Sequence, residues 1–210
     1  MMRHAWGGYK KYTWGADELN PLSKQPHVWS GGSMLFTPLD SMDTLYIMGL
    51  EDEFKEAKEI VIERLNFNVN AYLNTFETII RVLGGLLAAY DLDGDKRILQ
   101  KAVELGDALM NIFDTPTGLP KNQVNLNARS SNAGAVGLAT VGTMQLEFQY
   151  LSDVSGDPKY AQKALYAFEQ IRKIGTDYPG LYPNSLSVDN INGHGSKSSI
   201  SRLKNPAQKY

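Results

Sequence analysis

The stretch from Phe76 to Ile112, FETIIRVLGGLLAAYDLDGDKRILQKAVELGDALMNI, decides the fold. Apolar residues recur at intervals of three and four on both sides of Asp93-Gly94-Asp95, which predicts two helices joined by a tight turn. The first helix is almost uncharged and rich in small residues, so it is expected to be buried. The second helix is amphipathic and is expected to face solvent on one side.

The same pattern returns 62 positions later. Three features keep this spacing, which makes coincidence a poor explanation: Gly94-Asp95 with Gly156-Asp157, Lys101-Ala102 with Lys163-Ala164, and Gly118-Leu119 with Gly180-Leu181. A less regular unit runs from 39 to 65, where Gly49 interrupts the helical pattern. The chain therefore contains three helical hairpins in sequence.

A buried helix followed by a surface helix, repeated, predicts an all-α toroid with an inner and an outer ring of helices. An open helical solenoid is the alternative. The segments 117–126 and 179–188 are short and rich in Pro, Gly and Asn, so they are expected to form loops or small hairpins.

Composition excludes several kinds of protein. The 210 residues include 21 Lys and Arg, 23 Asp and Glu and no cysteine, for a net charge of −2. This balance argues against nucleic acid as a partner. Without cysteine there is no disulfide scaffold, thiolate metal site or cysteine nucleophile. The apolar runs are too short to span a bilayer.

Glu77 and Arg81 are charges on a helix that is expected to be buried. They are four residues apart and so share one face. One interpretation is a structural ion pair that ties this helix to its neighbour. The other is a functional carboxyl group at the mouth of the ring, because desolvation raises the pKa of a Glu into the range that suits a general acid.

Other polar side chains have simpler expected roles. Asp40 and Asp43 are expected to cap the first helix. Glu147 is expected to pair with an Arg or Lys of another helix. His4 and His27 lack the spacing of metal ligands and are expected to be satisfied or exposed. A group of early aromatic residues predicts core packing, with sugar stacking as the alternative: Trp6, Tyr9, Tyr12 and Trp14.

A set of motifs in order resembles the class I α-mannosidases of glycoside hydrolase family 47. The motifs extend from the first residues to about position 188: Met2-Arg3-His4-Ala5-Trp6, Trp14-Gly15, Asp17-Glu18-Leu19, Asp40-Ser41-Met42-Asp43-Thr44-Leu45, Phe76-Glu77, Ile80-Arg81, Gly84-Gly85-Leu86-Leu87, Thr115-Pro116, Val124-Asn125-Leu126, Gln145-Leu146-Glu147-Phe148 and Gly180-Leu181-Tyr182-Pro183-Asn184. The resemblance is closer to the processing α-1,2-mannosidases than to the lectin-like branch.

The resemblance implies an (α/α)7 barrel, of which residues 1–188 would form about the first three hairpins. It implies inverting, Ca²⁺-dependent hydrolysis of terminal α-1,2-linked mannose from high-mannose N-glycans on glycoproteins. Glu77 would be the general acid, and Arg81 its substrate-binding neighbour in the pocket. It also implies a membrane-anchored enzyme of the Golgi or endoplasmic reticulum lumen, although no membrane span is expected in this chain.

Three departures from the family pattern qualify that expectation. Thr140 stands where the family has a pocket Glu, so it is the second expected substrate-binding residue, with Arg81. The stretch 128–137 is short for the family. After Leu186 the pattern is lost, and 189–210 is expected to be a divergent, disordered tail.

The base carboxylate and the calcium-binding Thr of the family belong to later repeats, so no metal ligand is expected among these residues. The chain by itself is therefore expected to be inactive and marginally stable. Two alternatives remain open: a non-catalytic, shortened homologue that binds glycans or glycoproteins, and an α-solenoid interaction module in which Glu77 matters only for stability.

Overall fold

The computed structural model describes residues 1–29, 31–132, 134–174 and 182–191. Its α-helices are α1 (Met2–Thr13), α2 (Phe36–Ile47), α3 (Glu51–Arg64), α4 (Thr75–Glu77), α5 (Gly84–Asp93), α6 (Lys96–Leu109), α7 (Leu138–Thr143), α8 (Gln145–Ser155) and α9 (Lys159–Arg172). A π-helical turn (Thr78–Leu83) joins α4 to α5, and a 3₁₀ turn (Met110–Phe113) follows α6.

The helices lie in two layers. In the inner layer α5 packs between α2 and α8, and each inner helix packs against the outer helix that follows it: α3, α6 and α9. The inner α5 is apolar and buries Leu86, Leu87 and Ala89. This arrangement confirms the predicted order of buried helix, tight turn and surface helix in all three units.

The three tight turns are built alike. Gly49, Gly94 and Gly156 follow the inner helices with φ of +67°, +74° and +78°, a left-handed conformation that glycine adopts without steric cost. Asp95 then accepts a hydrogen bond from the Arg97 amide at 2.9 Å, and Asp157 accepts one from the Lys159 amide at 3.0 Å. The 62-residue repeat is thus a repeat of backbone conformation. Gly180 of the third matched pair lies outside the described residues.

The second outer helix packs unusually closely on the third hairpin. A Cβ atom at Gly106 of α6 would lie 2.5 Å from Leu151 of α8 and 3.0 Å from the Tyr160 ring of α9. Such distances are too short for a carbon contact. Glycine at this position therefore allows the α6 backbone to approach its neighbours.

Short antiparallel strands lie among the loops. They are β1 (Glu18–Asn20) with β2 (Gln25–His27), β3 (Leu73–Asn74) with β4 (Gln123–Asn125) and β5 (Ser130–Asn132), and β6 (Val136–Gly137) with β7 (Ser185–Leu186). The segments 117–126 and 179–188 were expected to form loops or small hairpins, and their described parts contain β4 and β7. The β1–β2 hairpin was not predicted.

One core connects all the hairpins, and it includes two of the four early aromatic residues. Trp6 and Tyr9 are buried, and Trp14 packs edge-on against them. Tyr12 departs from the core expectation: it is 38% exposed and lies beneath Lys11 and Lys24. No helix of the described ranges is long and apolar enough to cross a membrane.

Candidate functional site

Glu77 lies at the beginning of the second inner helix. The side chain of Asn74 caps this helix by accepting a hydrogen bond from the Glu77 amide at 3.1 Å. Thr75 fixes the same turn to the neighbouring loop, because its amide and hydroxyl donate to the carbonyls of Asn122 and Lys121 at 2.9 and 2.8 Å. The backbone around Glu77 is therefore held from two sides.

Arg81 joins two carboxylates from different inner helices. Its Nε lies 2.6 Å from Glu77 Oε2, and its Nη1 lies 2.8 Å from Asp40 Oδ2 on α2. The three side chains are 29–37% exposed, so this charged cluster is more open than the sequence predicted. It contains the expected tie between helices, yet it also faces solvent where a ligand can reach it.

Asp40 does not cap a helix, which corrects the prediction. Helix α2 begins at Phe36, so Asp40 lies in its second turn. Burial raises the pKa of the Asp40 carboxyl, the hydrogen bond and charge of Arg81 oppose this, and the charges of Asp43 and Glu77 raise it further. Asp43 bonds to Thr44 on its own helix and is not a cap either.

The carboxylate at the start of α2 comes instead from Asp17, a completely buried residue. Its Oδ1 accepts from the Met34 amide at 2.7 Å, the Ser33 hydroxyl at 3.0 Å and, more weakly, the Phe36 amide at 3.5 Å. Its Oδ2 accepts from the Trp29 amide at 3.0 Å. One buried carboxylate thus holds Trp29, Ser33 and Met34 of the loop that precedes α2.

That loop and the first residue of α2 place two aromatic rings over the charged cluster. The guanidinium of Arg81 lies 5.1 Å from the Trp29 ring and 6.0 Å from the Phe36 ring. Trp29 is 38% exposed, whereas Phe36 is buried. The cluster therefore has an aromatic wall with one open face. Trp29 was missed in the sequence, although a Trp within a Ser- and Gly-rich loop is an unusual signal.

The π-helical turn begins directly after Glu77. A π-turn inserts one residue into a helix and occurs often at functional sites. Arg81 lies within it, and from this turn its guanidinium contacts both carboxylates. This local change of helix type could not be predicted from apolar periodicity.

Thr140 has no described hydrogen bond to the residues of this cluster, Glu77, Arg81 and Asp40. It lies in α7 and is 6% exposed. Its expected contact with substrate stays a prediction.

Glu147 does not have the expected ionic partner within the described residues. Its Oε1 lies near Gly84, and its Oε2 is buried without a hydrogen bond there. Burial accordingly raises the pKa of the Glu147 carboxyl. The prediction of a pairing with Arg or Lys is therefore wrong for this part of the chain.

The acidic side chains of the described residues do not cluster around a position for the implied calcium ion. The described residues contain no group of three or more carboxylate or imidazole side chains that could hold a metal. Calcium binding by oxygen ligands normally needs six to eight donors. Calcium binding therefore stays a prediction.

Comparison with known proteins gives a consistent result. The model of the glycosyl hydrolase family 47 matches residues 1–205. A mannosyl-oligosaccharide α-1,2-mannosidase IA of Spodoptera frugiperda is 47% identical over 89% of the chain. A mannosyl-oligosaccharide 1,2-α-mannosidase of Arabidopsis thaliana is 46% identical over 91% of it. The chain spans only 29% and 35% of these two relatives.

Among solved structures, an α-1,2-mannosidase from Trichoderma reesei is similar with a TM-score of 0.83 and 30% identity. The match covers 90% of this chain and 43% of that enzyme. This likeness confirms the predicted (α/α)7 barrel fold over the open solenoid.

Proposed function

The chain belongs to glycosyl hydrolase family 47, and on that premise we propose that it supplies the general acid of an α-mannosidase active site. The proposed substrate is a terminal α-1,2-linked mannose of a high-mannose N-glycan. The single observation that supports this most is the Glu77–Arg81–Asp40 cluster, which is partly open and lies under an exposed Trp ring. The relatives' names, mannosyl-oligosaccharide 1,2-α-mannosidases, support the choice of sugar.

Glu77 is the proposed general acid. Arg81 holds Oε2, and none of the described residues forms a hydrogen bond to Oε1. Oε1 is thus open to a ligand, and a proton carried there would pass to the glycosidic oxygen as its bond to mannose breaks, while water bonds to the mannosyl carbon. Asp40 and Trp29 are proposed as positioning residues, because both contact Arg81 and fix where its guanidinium lies.

An inverting reaction also needs a carboxylate on the other face of the sugar, about 6.5–9.5 Å from the acid, to activate water. We assign that base to none of the described residues. The 210 residues alone are therefore proposed to bind a mannose-terminated ligand without releasing mannose. Calcium dependence and a Golgi or endoplasmic reticulum location are parts of the same proposal.

The test measures binding and hydrolysis with the 210-residue chain. We expect α-1,2-linked mannobiose to bind in calorimetry, and no free mannose to appear on incubation with a high-mannose oligosaccharide. If mannose is released, the proposal that the chain is inactive is wrong. In that case Glu77→Gln should lower the rate of hydrolysis about 10²- to 10⁴-fold, whereas the control Glu63→Gln, at an exposed position, should not. Failure of the folded chain to bind mannobiose would overturn the proposed site.

A non-catalytic glycan-binding protein is the second candidate, favoured by a buried Thr140 where the resemblance expects a pocket Glu. A fusion separates the two candidates. The chain is joined to the part of the Trichoderma reesei enzyme that the match does not cover, and folding is verified by a thermal melt. Mannose release that disappears in Glu77→Gln supports the enzyme, whereas glycan binding without release supports the binding protein.

A further inference from the structure

We propose that the exposed face of the β3–β4–β5 sheet binds the inner sugars of an oligosaccharide whose terminal residue occupies the Glu77 cluster. This inference deepens the proposed function and rests on it. We call this surface the amide face, and it consists of Tyr72, Asn74, Gln123 and Asn132. Its ligand is a neutral, hydroxyl-rich oligosaccharide of mannose.

Strand register places these side chains together. Asn74 pairs with Gln123, and Gln123 pairs with Asn132. Directly opposite residues of antiparallel strands project to the same face, so the three amides form one row across the sheet. The adjacent row, Leu73 with Val124, is buried in the core. The sheet therefore has an apolar side towards the protein and an amide side towards solvent.

The amide side has unused hydrogen-bonding capacity. Each amide side chain offers two N–H donors and an acceptor oxygen. Within the row, the contact from Asn132 Nδ2 to Gln123 Oε1 is long, at 3.5 Å, and all three residues are exposed. Uncharged groups that both donate and accept match the hydroxyl groups of a sugar. Tyr72, which is 48% exposed, adds a flat apolar ring at the same edge.

The amide face is continuous with the Glu77 cluster. Asn74 lies in the row and adjoins the cluster, because its side chain accepts from the Glu77 backbone amide at 3.1 Å. The turn that follows is fixed to the sheet by Thr75, through the Lys121 and Asn122 carbonyls. The row therefore begins at Asn74, three residues before Glu77, and a sugar chain that extends from Glu77 towards the sheet would meet it. The relatives are named for mannosyl-oligosaccharides, ligands that extend beyond one sugar.

The experiment compares two ligands on one protein. The unmodified 210-residue chain is titrated with α-1,2-linked mannobiose and with an oligomannose oligosaccharide released from a high-mannose N-glycan. We expect the oligosaccharide to bind at least about tenfold more tightly. Adding Gln123→Ala and Asn132→Ala should remove this difference and leave mannobiose affinity unchanged. Gln100→Ala, an exposed amide on α6, is the matched control and should change neither affinity.

The outcomes separate this inference from the proposed function. If mannobiose binds but the oligosaccharide keeps its tighter binding in the double variant, the proposal that the amide face binds the inner sugars is wrong, and the proposed Glu77 site stands. If mannobiose does not bind but the oligosaccharide binds and depends on Gln123 and Asn132, the amide face stands and the Glu77 site is wrong. If neither ligand binds the folded chain, both are overturned. A thermal melt of each variant verifies that the sheet has kept its fold.

Discussion

At the scale of single residues, replacing Arg81 tests whether the charged cluster binds substrate or only stabilises the fold. The Arg81→Met change leaves Glu77 and Asp40 without their shared cation. Because the pairs are about one-third exposed, solvent screening limits the stability loss to about 1 kcal/mol or less. Affinity for mannobiose is expected to fall at least about tenfold, as measured by calorimetry.

The control for Arg81 is Arg97, which also joins two carboxylates, Asp95 and Glu59, but at the tight-turn end of the hairpin. Arg97→Met should cost a similar free energy of unfolding and leave mannobiose affinity unchanged. Equal affinities for the two variants would show that the Arg81 cluster is merely structural.

Asp17 is expected to be the most damaging site of substitution outside the apolar core. Asp17→Ala leaves the Trp29 and Met34 amides and the Ser33 hydroxyl without their buried acceptor. The expected loss is about 3 kcal/mol, read from urea unfolding. Asp52→Ala, in the exposed first turn of α3, should cost only about 0.5 kcal/mol. Equal losses would contradict the organising role of Asp17.

Glu147 should make stability depend on pH. Its folded pKa is raised above the ordinary 4.5 by burial, so between those two values the folded protein holds a proton that the unfolded chain has released. Stability is therefore expected to fall as pH rises through that window. Glu147→Gln should flatten the profile and gain about 1 kcal/mol at neutral pH, measured by urea unfolding at several pH values.

The exposed Glu104→Gln on α6 is the control for that profile. If the profile of Glu147→Gln follows that of the unmodified chain, the buried carboxyl does not titrate as expected.

At the scale of elements, the tight turns depend on left-handed glycines. Gly94 and Gly156 have positive φ, and no neighbouring atom lies within 4 Å of the position that a Cβ would occupy. Replacing either with Ala therefore adds backbone strain without a clash, and each change should cost about 1 kcal/mol. Gly142→Ala, within α7 and also without a nearby atom, should be neutral or stabilise by about 0.5 kcal/mol. Thermal melts of the three variants check this, and equal effects would refute it.

At the scale of the whole molecule, exposed apolar side chains are the main liability. Leu22, Ile47 and Leu146 are 98%, 73% and 73% exposed, and such surface favours association. The 210-residue chain is expected to be marginally stable and to aggregate on heating, and Ile47→Lys with Leu146→Gln should raise its solubility. A sharp, reversible melt of a soluble monomer in light scattering and circular dichroism would contradict this.

Periodicity and spacing were enough to predict the hairpins. The intervals of three and four in 76–112, with Gly94 and Gly156 at matching positions, depend only on local backbone chemistry and on which helix face is apolar. The same local rules failed for Asp40, because a carboxylate near a helix start resembles a cap until the true start at Phe36 is known. The π-turn at 78–83 could not be predicted from the sequence either, since it adds one residue without disturbing the apolar pattern.

The sequence by itself determined the order of inner and outer helices, the turns between them and the family motifs, because each depends on residues close together in the chain. Only the tertiary structure decided which groups meet. Arg81 reaches Asp40 across 41 positions, Asp17 organises the loop before α2, and β4 brings Gln123 between Asn74 and Asn132. These contacts arise because segments that are far apart in the chain pack around a shared core. A local sequence pattern does not show which distant segments will meet.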